Sequence, residues 1–277
     1  MMDRMDKYMK ANQRLWNAWT LHHVRSEFYD VEGFKAGRQR RRQAFDALET
    51  HLLGDVTGKS LLHLQCHFGL DSFAWARRGA VVTGVDFADE AIKAARGLAG
   101  EMGVPATFVH SNVYDLPANL GGQFDIVFTS HGVLGWLPDL EAWATVVAHF
   151  LTPGGVFCLI DGHPFALIFD DRHKEPELRL LYPYFRGPEP VREEHAGSYA
   201  APDAPLHSVE HIWLHTMSDI IGALIRAGLR LASFEEYPYV AWPMFPWMEE
   251  RADGAWQFPA GVGHVPLMFS LTATKDA

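Results

Sequence analysis

Apolar positions along this chain follow two rhythms. Between residues 35 and 53, Phe45, Leu48, Leu52 and Leu53 recur at helical spacing on one side, and Gly54 follows as a C-cap residue. Downstream, short and nearly continuous apolar runs alternate with helical stretches. The runs are SLLHLQC (60–66), AVVTGVD (80–86), ATFVH (106–110), FDIVFTS (124–130) and GVFCLID (155–161). Each is rich in Val, Ile, Leu or Phe without strict alternation, the pattern of strands covered on both faces, so a parallel sheet is predicted. Helices are predicted near 70–78, 88–102 and 139–150. This βαβ alternation with short connections gives a doubly wound α/β sheet.

The regularity stops at residue 162. From there to 206 the chain is rich in Pro and Gly with interspersed aromatics, as in HPFALIFDD, LYPYFRGPEP and YAAPDAP. A stretch of that length without periodicity inside a compact domain is expected to be a functional loop or lid. Order returns with a helix at 216–227, opened by Thr216 and Asp219 in a weak capping box and ended by Gly228. A strand at 229–237 follows, then an aromatic loop with Tyr237, Tyr239, Trp242, Phe245 and Trp247, then a last strand at 265–275.

Composition narrows the class. The 277 residues, 48% hydrophobic and 13% aromatic, suffice for one large domain or one domain with a cap. No run of about eighteen apolar residues suggests a membrane span. MMDRMDKYMK carries no apolar stretch of signal-peptide type, so a cytoplasmic setting is expected. Cys66 and Cys158, both in strand-like surroundings, are expected to be reduced core thiols. A formal net charge of −10 argues against nucleic acid as a partner. The basic run of Arg38, Arg40, Arg41 and Arg42 fits a charged helix face better than a binding patch.

The candidate chemistry lies between Leu61 and Arg96. A first strand enters a tight turn containing Gly69, a helix follows, and a second strand ends in Asp86. At such a turn the backbone bends sharply and approaches a ligand closely. A carboxylate at the next strand end, about twenty residues on, accepts hydrogen bonds from both ribose hydroxyls. The pair specifies an adenosine-type ligand. Dinucleotide binding is disfavoured, because HLQCHFG offers one glycine where three are wanted. A P-loop is excluded, because Gly58-Lys59-Ser60 precedes the first strand and lacks the upstream glycine.

This stretch resembles the first two motifs of class I, Rossmann-like S-adenosylmethionine-dependent methyltransferases, and the chain resembles their bacterial small-molecule members. The likeness is strong over residues 45–160 and extends to 216–275. It implies a seven-stranded sheet, mostly parallel with an antiparallel last strand. The implied layout is an N-terminal helical lid (1–35), a cofactor-binding core (36–161), a cap inserted after strand 5 (162–210) and a C-terminal completion of the sheet (211–277). S-adenosylmethionine is the implied cofactor. Backbone groups around Gln65, Cys66, His67 and Gly69 would cradle its methionyl part, Asp86 would hold the ribose, and Phe87 would lie against adenine. In FVHSNVYDLP, Asn112 would face the adenine amino group and Val113 would contact the ring. Ser130 and His131 would lie under the sulfonium, and LTPGGVFCLID matches the turn into the fifth strand through Pro153, Gly154 and Gly155. The chain departs from the pattern at His63, where an acid is common, at Gln65 and His67, where glycines are common, and at Asn112 in place of Asp. Losing glycines matters if those positions need positive φ.

Fifteen histidines raise the question of a metal. His63, Cys66 and His67 sit on one strand end, where neighbouring side chains diverge, and His207, His211 and His215 share a face only on a helix, which HSVEHIWLH does not resemble. No metal site is expected. His131 and His163 each follow a strand at the carboxyl edge, so both are candidates for a general base or a positioning group, with Asp161 placed to orient His163. The aromatic N-terminus, with Trp16, Trp19, His22, His23, Phe28 and Tyr29, is either core packing or a lid that brings Tyr29 or His23 near the methyl group. The loop at 237–247 is expected to form the opposite wall, and an aromatic pocket suits a planar or hydrophobic acceptor. The expected reaction is direct SN2 transfer to O, N or C of a small molecule, with His131, Tyr29 and His163 as catalytic candidates. The alternatives are a non-catalytic module that binds an adenosyl ligand or a protein, and a nicotinamide-dependent oxidoreductase.

Overall fold

The computed structural model describes residues 2–38, 40–185, 187 and 189–276. Three helices lead the chain: α1 (Met2–His23), α2 (Val31–Lys35) and α3 (Arg40–Leu53). The helix expected over 35–53 begins only at Arg40, because the chain turns at Gly37, where φ is 70°. The side chains of Arg40, Arg41 and Arg42 lie outside the described residues. Then follow β1 (Ser60–Leu64), α4 (Leu70–Arg77), β2 (Val81–Asp86), α5 (Asp89–Met102), β3 (Ala106–His110), α6 (Leu116–Asn119), β4 (Phe124–Ser130), α7 (Leu140–Phe150) and β5 (Leu151–Gly162).

The aperiodic stretch holds β6 (Val191–Ala196), which forms a hairpin with β7 (His207–Ile212) just beyond it. The chain then builds α8 (Met217–Arg226), β8 (Leu229–Tyr237), the short strands β9 (Tyr239–Val240), β10 (Glu249–Glu250) and β11 (Trp256–Gln257), and finally β12 (Met268–Lys275). Thr216 and Asp219 form a full capping box at α8, each side chain bonding the other's backbone N–H.

The main sheet has the order β3-β2-β1-β4-β5-β12-β8. Neighbours from β3 to β5 pair in parallel, whereas β12 runs antiparallel to both β5 and β8. This is the doubly wound, seven-stranded Rossmann-like sheet with its antiparallel last strand. The central strands β1, β4 and β5 are buried on both faces, which is why they read as continuous apolar runs. On one face Val127, Phe157 and Leu271 pack under Trp143, Phe150 and Leu224. On the other, Leu61, Phe128 and Ile160 pack with Phe45, Leu48, Trp75 and Phe245.

The strand order reverses between β1 and β4, so the carboxyl ends of β1, β2 and β4 open onto one crevice. Helix α1 lies across it, held by amide side chains. Asn12 donates to the His211 carbonyl at 2.8 Å and accepts from the His211 N–H at 3.0 Å, docking on β7 as an added strand would. Gln13 donates to the Phe87 carbonyl, and Asn17 accepts from Glu90 N–H at the start of α5. No described helix is long and apolar enough to cross a membrane.

Candidate functional site

The turn after β1 is shaped by left-handed backbone at alternate residues. Gln65, His67 and Gly69 have φ of 54°, 52° and 85°. The two positions where glycines are common therefore do adopt the conformation that glycine favours, at a cost of about 1–2 kcal/mol for each side chain there. Tertiary bonds hold the shape. Cys66 N–H donates to the Val85 carbonyl at 2.9 Å, and His67 N–H donates to Asp86 Oδ2 at 2.8 Å. Asp86 Oδ1 accepts from Ala88 N–H at 2.8 Å. One carboxylate thus fixes both the turn and the start of α5, and each oxygen keeps a second lone pair. Burial raises the Asp86 pKa to about 6, against the lowering effect of these N–H donors.

His63, the departure from the acidic pattern, is absorbed into a buried polar network. Its Nδ1 lies 2.8 Å from Ser72 Oγ and its Nε2 3.4 Å from Ser130 Oγ, which donates to Asp71 Oδ2 at 3.1 Å. Asn112 Oδ1 caps the short turn behind β3 by accepting from Tyr114 N–H.

The end of β4 is the second strained bend. His131 and Gly132 have φ of 55° and 81°. The buried carboxylate of Asp161 holds the loop, accepting from Gly132 N–H at 2.6 Å, Val133 N–H at 3.0 Å and Leu134 N–H at 2.9 Å. Burial raises the Asp161 pKa, opposed by those same bonds. Asp161 therefore serves the β4 loop and not His163, contrary to the role its position in the strand suggested. His163 accepts from Phe165 N–H at Nδ1 and sets Nε2 2.9 Å from Glu236. Burial holds its pKa below the usual value despite that carboxylate.

A cavity of about 910 Å³ joins the two bends. It is lined by Gln65, Cys66, His67, Gly69, Asp86, Phe87, Asn112, Val113, Ser130 and His131, and by Tyr29. His163 is not among its lining residues. Over the turn, Trp16 packs edge-on against Trp19, Trp136 and His67, with centroids 5.4, 5.1 and 5.1 Å away. His23 joins three segments: its Nδ1 lies 3.1 Å from His67 Nε2 and its Nε2 2.9 Å from Ser198 Oγ. Burial lowers the pKa of His23 to about 3 and that of His67 as well, so both rings are neutral and share one proton position. Tyr29 and Tyr199 hydroxyls bond to each other. Trp242 closes the other side against Gly132 and Gly162.

Sequence reasoning had not singled out Trp136, Ser198 or Tyr199, which lie in loops without periodicity. Nor had it found Glu49, whose signal was a charge on the apolar face of α3. Cys66 and Cys158 are buried free thiols. Among the described residues, no group of three or more His, Cys, Asp or Glu is placed to hold a metal ion.

The crevice fits S-adenosylmethionine on its own chemistry. Gln65 Oε1 is buried and accepts no hydrogen bond from the protein, which suits an ammonium donor such as the methionyl amine. Residues 62–157 match the family described as a methyltransferase domain. A ubiquinone biosynthesis O-methyltransferase of Psychrobacter cryohalolentis is 32% identical over 185 residues, 64% of this chain and 70% of that protein. One of Bordetella avium is 34% identical over 132 residues, and that match spans 47% of this chain and 54% of the relative. Among solved structures, an S-adenosylmethionine-dependent methyltransferase of Mesorhizobium loti superposes with a TM-score of 0.59 at 20% identity, covering 84% of this chain and 98% of the other. Magnesium protoporphyrin IX methyltransferase of Synechocystis, with bound S-adenosylhomocysteine, gives 0.51 at 17% identity over 86% and 84%. These two show the shared fold. The chain belongs to the class I S-adenosylmethionine-dependent methyltransferases.

Proposed function

We propose that this methyltransferase acts on a hydroxyl oxygen of a small, aromatic or hydrophobic molecule. The observation that carries the reading is the continuity of one cavity from the Asp86 turn to the aromatic wall around His131, Phe45 and Trp242. S-adenosylmethionine, when bound, supplies a sulfonium methyl group open to direct displacement, so the protein contributes alignment, water exclusion and proton management. Gln65, Cys66, His67 and Gly69 hold the methionyl part, Asp86 the ribose, and Phe87, Asn112 and Val113 the adenine. Ser130 and His131 lie beneath the reacting centre, and His131 takes the acceptor's proton. Residues 1–35 and 162–210 serve as lid and cap, and Tyr29 belongs to the lid. His163, turned towards Glu236, is left out of the catalytic set. The O-methyltransferases among the relatives support oxygen as the acceptor atom, and two reduced thiols support a cytoplasmic setting.

The test is methyl transfer from labelled S-adenosylmethionine to a panel of phenols, catechols, hydroxybenzoates, aromatic amines and indoles, with products identified by mass spectrometry. O-methylated phenols are expected. Exclusive N- or C-methylation, or cofactor binding without turnover on any acceptor, contradicts the reading.

A further inference from the structure

Glu49 is fully buried on α3, one helical turn from Phe45, and both residues face His131. The Phe45 and His131 rings meet edge to face with centroids 4.8 Å apart. Glu49 Oε1 lies 3.6 Å from His131 Nε2, while Oε2 lies 3.9 Å from Arg78 Nη1. Neither ring nitrogen of His131 makes a hydrogen bond and both are buried, the 13% exposure of the side chain lying on its carbon atoms, so an acceptor reaches Nδ1 only once the ring moves. A carboxylate withdrawn from water is costly unless it is paired. Arg78 faces one oxygen, and its other arm is tied to Asp46 at 2.9 Å. The second oxygen has the histidine in front of it. His131 also holds a left-handed φ of 55°, a strained conformation of the kind that clusters at active sites and persists only where its surroundings impose it. The Asp161 clamp on the three following N–H groups imposes it from one side, and Phe45 with Glu49 from the other.

We propose that Glu49 is the positioning residue of a Glu49–His131 pair that removes a proton from the acceptor, a step that rests on the hydroxyl-methylation reading. Glu49 accepts from Nε2–H and so selects the tautomer with a bare, basic Nδ1. Pairs of this kind are often longer than a hydrogen bond until substrate is bound. The acceptor's O–H bond breaks and its proton goes to Nδ1. The electron pair stays on oxygen and forms the bond to the methyl carbon, with the electrons of the broken carbon–sulfur bond left on sulfur. The imidazolium then faces the Glu49 carboxylate, and its proton passes to solvent when product leaves. The acceptor class that needs such a pair is an alcohol or phenol that is not ionised in solution.

The test combines spectroscopy with kinetics. In histidine-¹⁵N-labelled protein saturated with S-adenosylhomocysteine, long-range ¹H–¹⁵N spectra, assigned with His131→Asn, are expected to show the Nε2–H tautomer of His131. Glu49→Gln is expected to lose that preference while binding S-adenosylhomocysteine within about twofold of the parent. On the phenol methylated in the panel, Glu49→Gln is expected to lower kcat at least tenfold with KM unchanged, within the ~10⁴ that such an orienting carboxylate can be worth. Glu49→Asp restores part of the rate. An Nδ1–H tautomer in the parent protein, or equal kcat in Glu49→Gln, overturns the pair, and the first result requires no variant to fold. If the parent binds S-adenosylhomocysteine but methylates no phenol, the hydroxyl reading fails, while the tautomer still decides whether Glu49 sets His131.

Discussion

At the β1–β2 end of the cavity the backbone does most of the shaping, whereas at the β4–β5 end side chains do. The turn at 65–69 is defined by three left-handed residues and by its own N–H groups, which bond the Val85 carbonyl and the Asp86 carboxylate, so it survives with Gln65 and His67 in place of smaller residues. The far wall draws on α3, the β4 loop and the loop after β9, and depends on what each side chain is: Phe45, His131, Trp242. A backbone-shaped site tolerates substitution if the dihedrals are kept. A side-chain-shaped site changes its chemistry with every residue. The first kind suits a fixed cofactor, the second an acceptor that differs from enzyme to enzyme.

The comparison breaks most readily at His131. His131→Asn is expected to lower turnover by about 10²- to 10⁴-fold, the usual contribution of a general base, with S-adenosylhomocysteine affinity changed less than about twofold. An equal loss in both would merge the two ends into one. The mirror substitution is Asp86→Ala. Calorimetry is expected to show S-adenosylhomocysteine binding weakened by about 1–3 kcal/mol, the cost of leaving buried hydroxyls without their acceptor. Unchanged affinity removes Asp86 from the ribose.

The pKa of Asp86, raised by burial to about 6, gives the next effect. Ribose hydroxyls need the ionised carboxylate, so affinity should be flat above pH 7 and fall towards about tenfold per pH unit below 6. The ligand-free fold responds with the opposite sign. A carboxyl whose folded pKa exceeds its unfolded one favours the folded state as pH falls through about 6, and that contribution is lost as pH rises. Asp86→Asn should abolish both dependences, and a parent affinity that does not change between pH 5 and 7 argues against the assignment. The smallest effect is expected for Gln65→Gly. Relief of a left-handed side chain, about 1–2 kcal/mol, is offset by the roughly 0.5–1 kcal/mol that glycine adds to unfolded-chain entropy, so thermal stability should change little. A large loss would show that the Gln65 side chain, and not the turn's dihedrals, shapes this end.

The same division explains what the sequence disclosed. All seven strands of the main sheet announced themselves, the central ones because burial on both faces leaves continuous runs such as FDIVFTS and GVFCLID. The turn and Asp86 were legible for the same reason: regular strands fix the positions at their ends. Positive φ at Gln65 and His67 was a question the sequence could pose, and the bonds to Val85 and Asp86 answer it. The hairpin β6–β7 was hidden by its charged, nearly apolar-free strand VREEHA. Asp161 and His163 are adjacent to one ligand-bearing edge in sequence, yet one side chain turns to the β4 loop and the other to Glu236, a divergence that only the packed loops determine. Glu49 was passed over because a carboxylate on a helix reads as solvated unless its neighbours in space are known.

The most direct test of the two-ended cavity is a crystal structure of the protein with S-adenosylhomocysteine bound. The account places the ribose hydroxyls on Asp86, the amino group on Gln65 and the sulfur over Ser130 and His131, with open space between the sulfur and the Phe45–Trp242 wall. A nucleoside bound at the His131 end, or a sulfur turned away from His131, would contradict it.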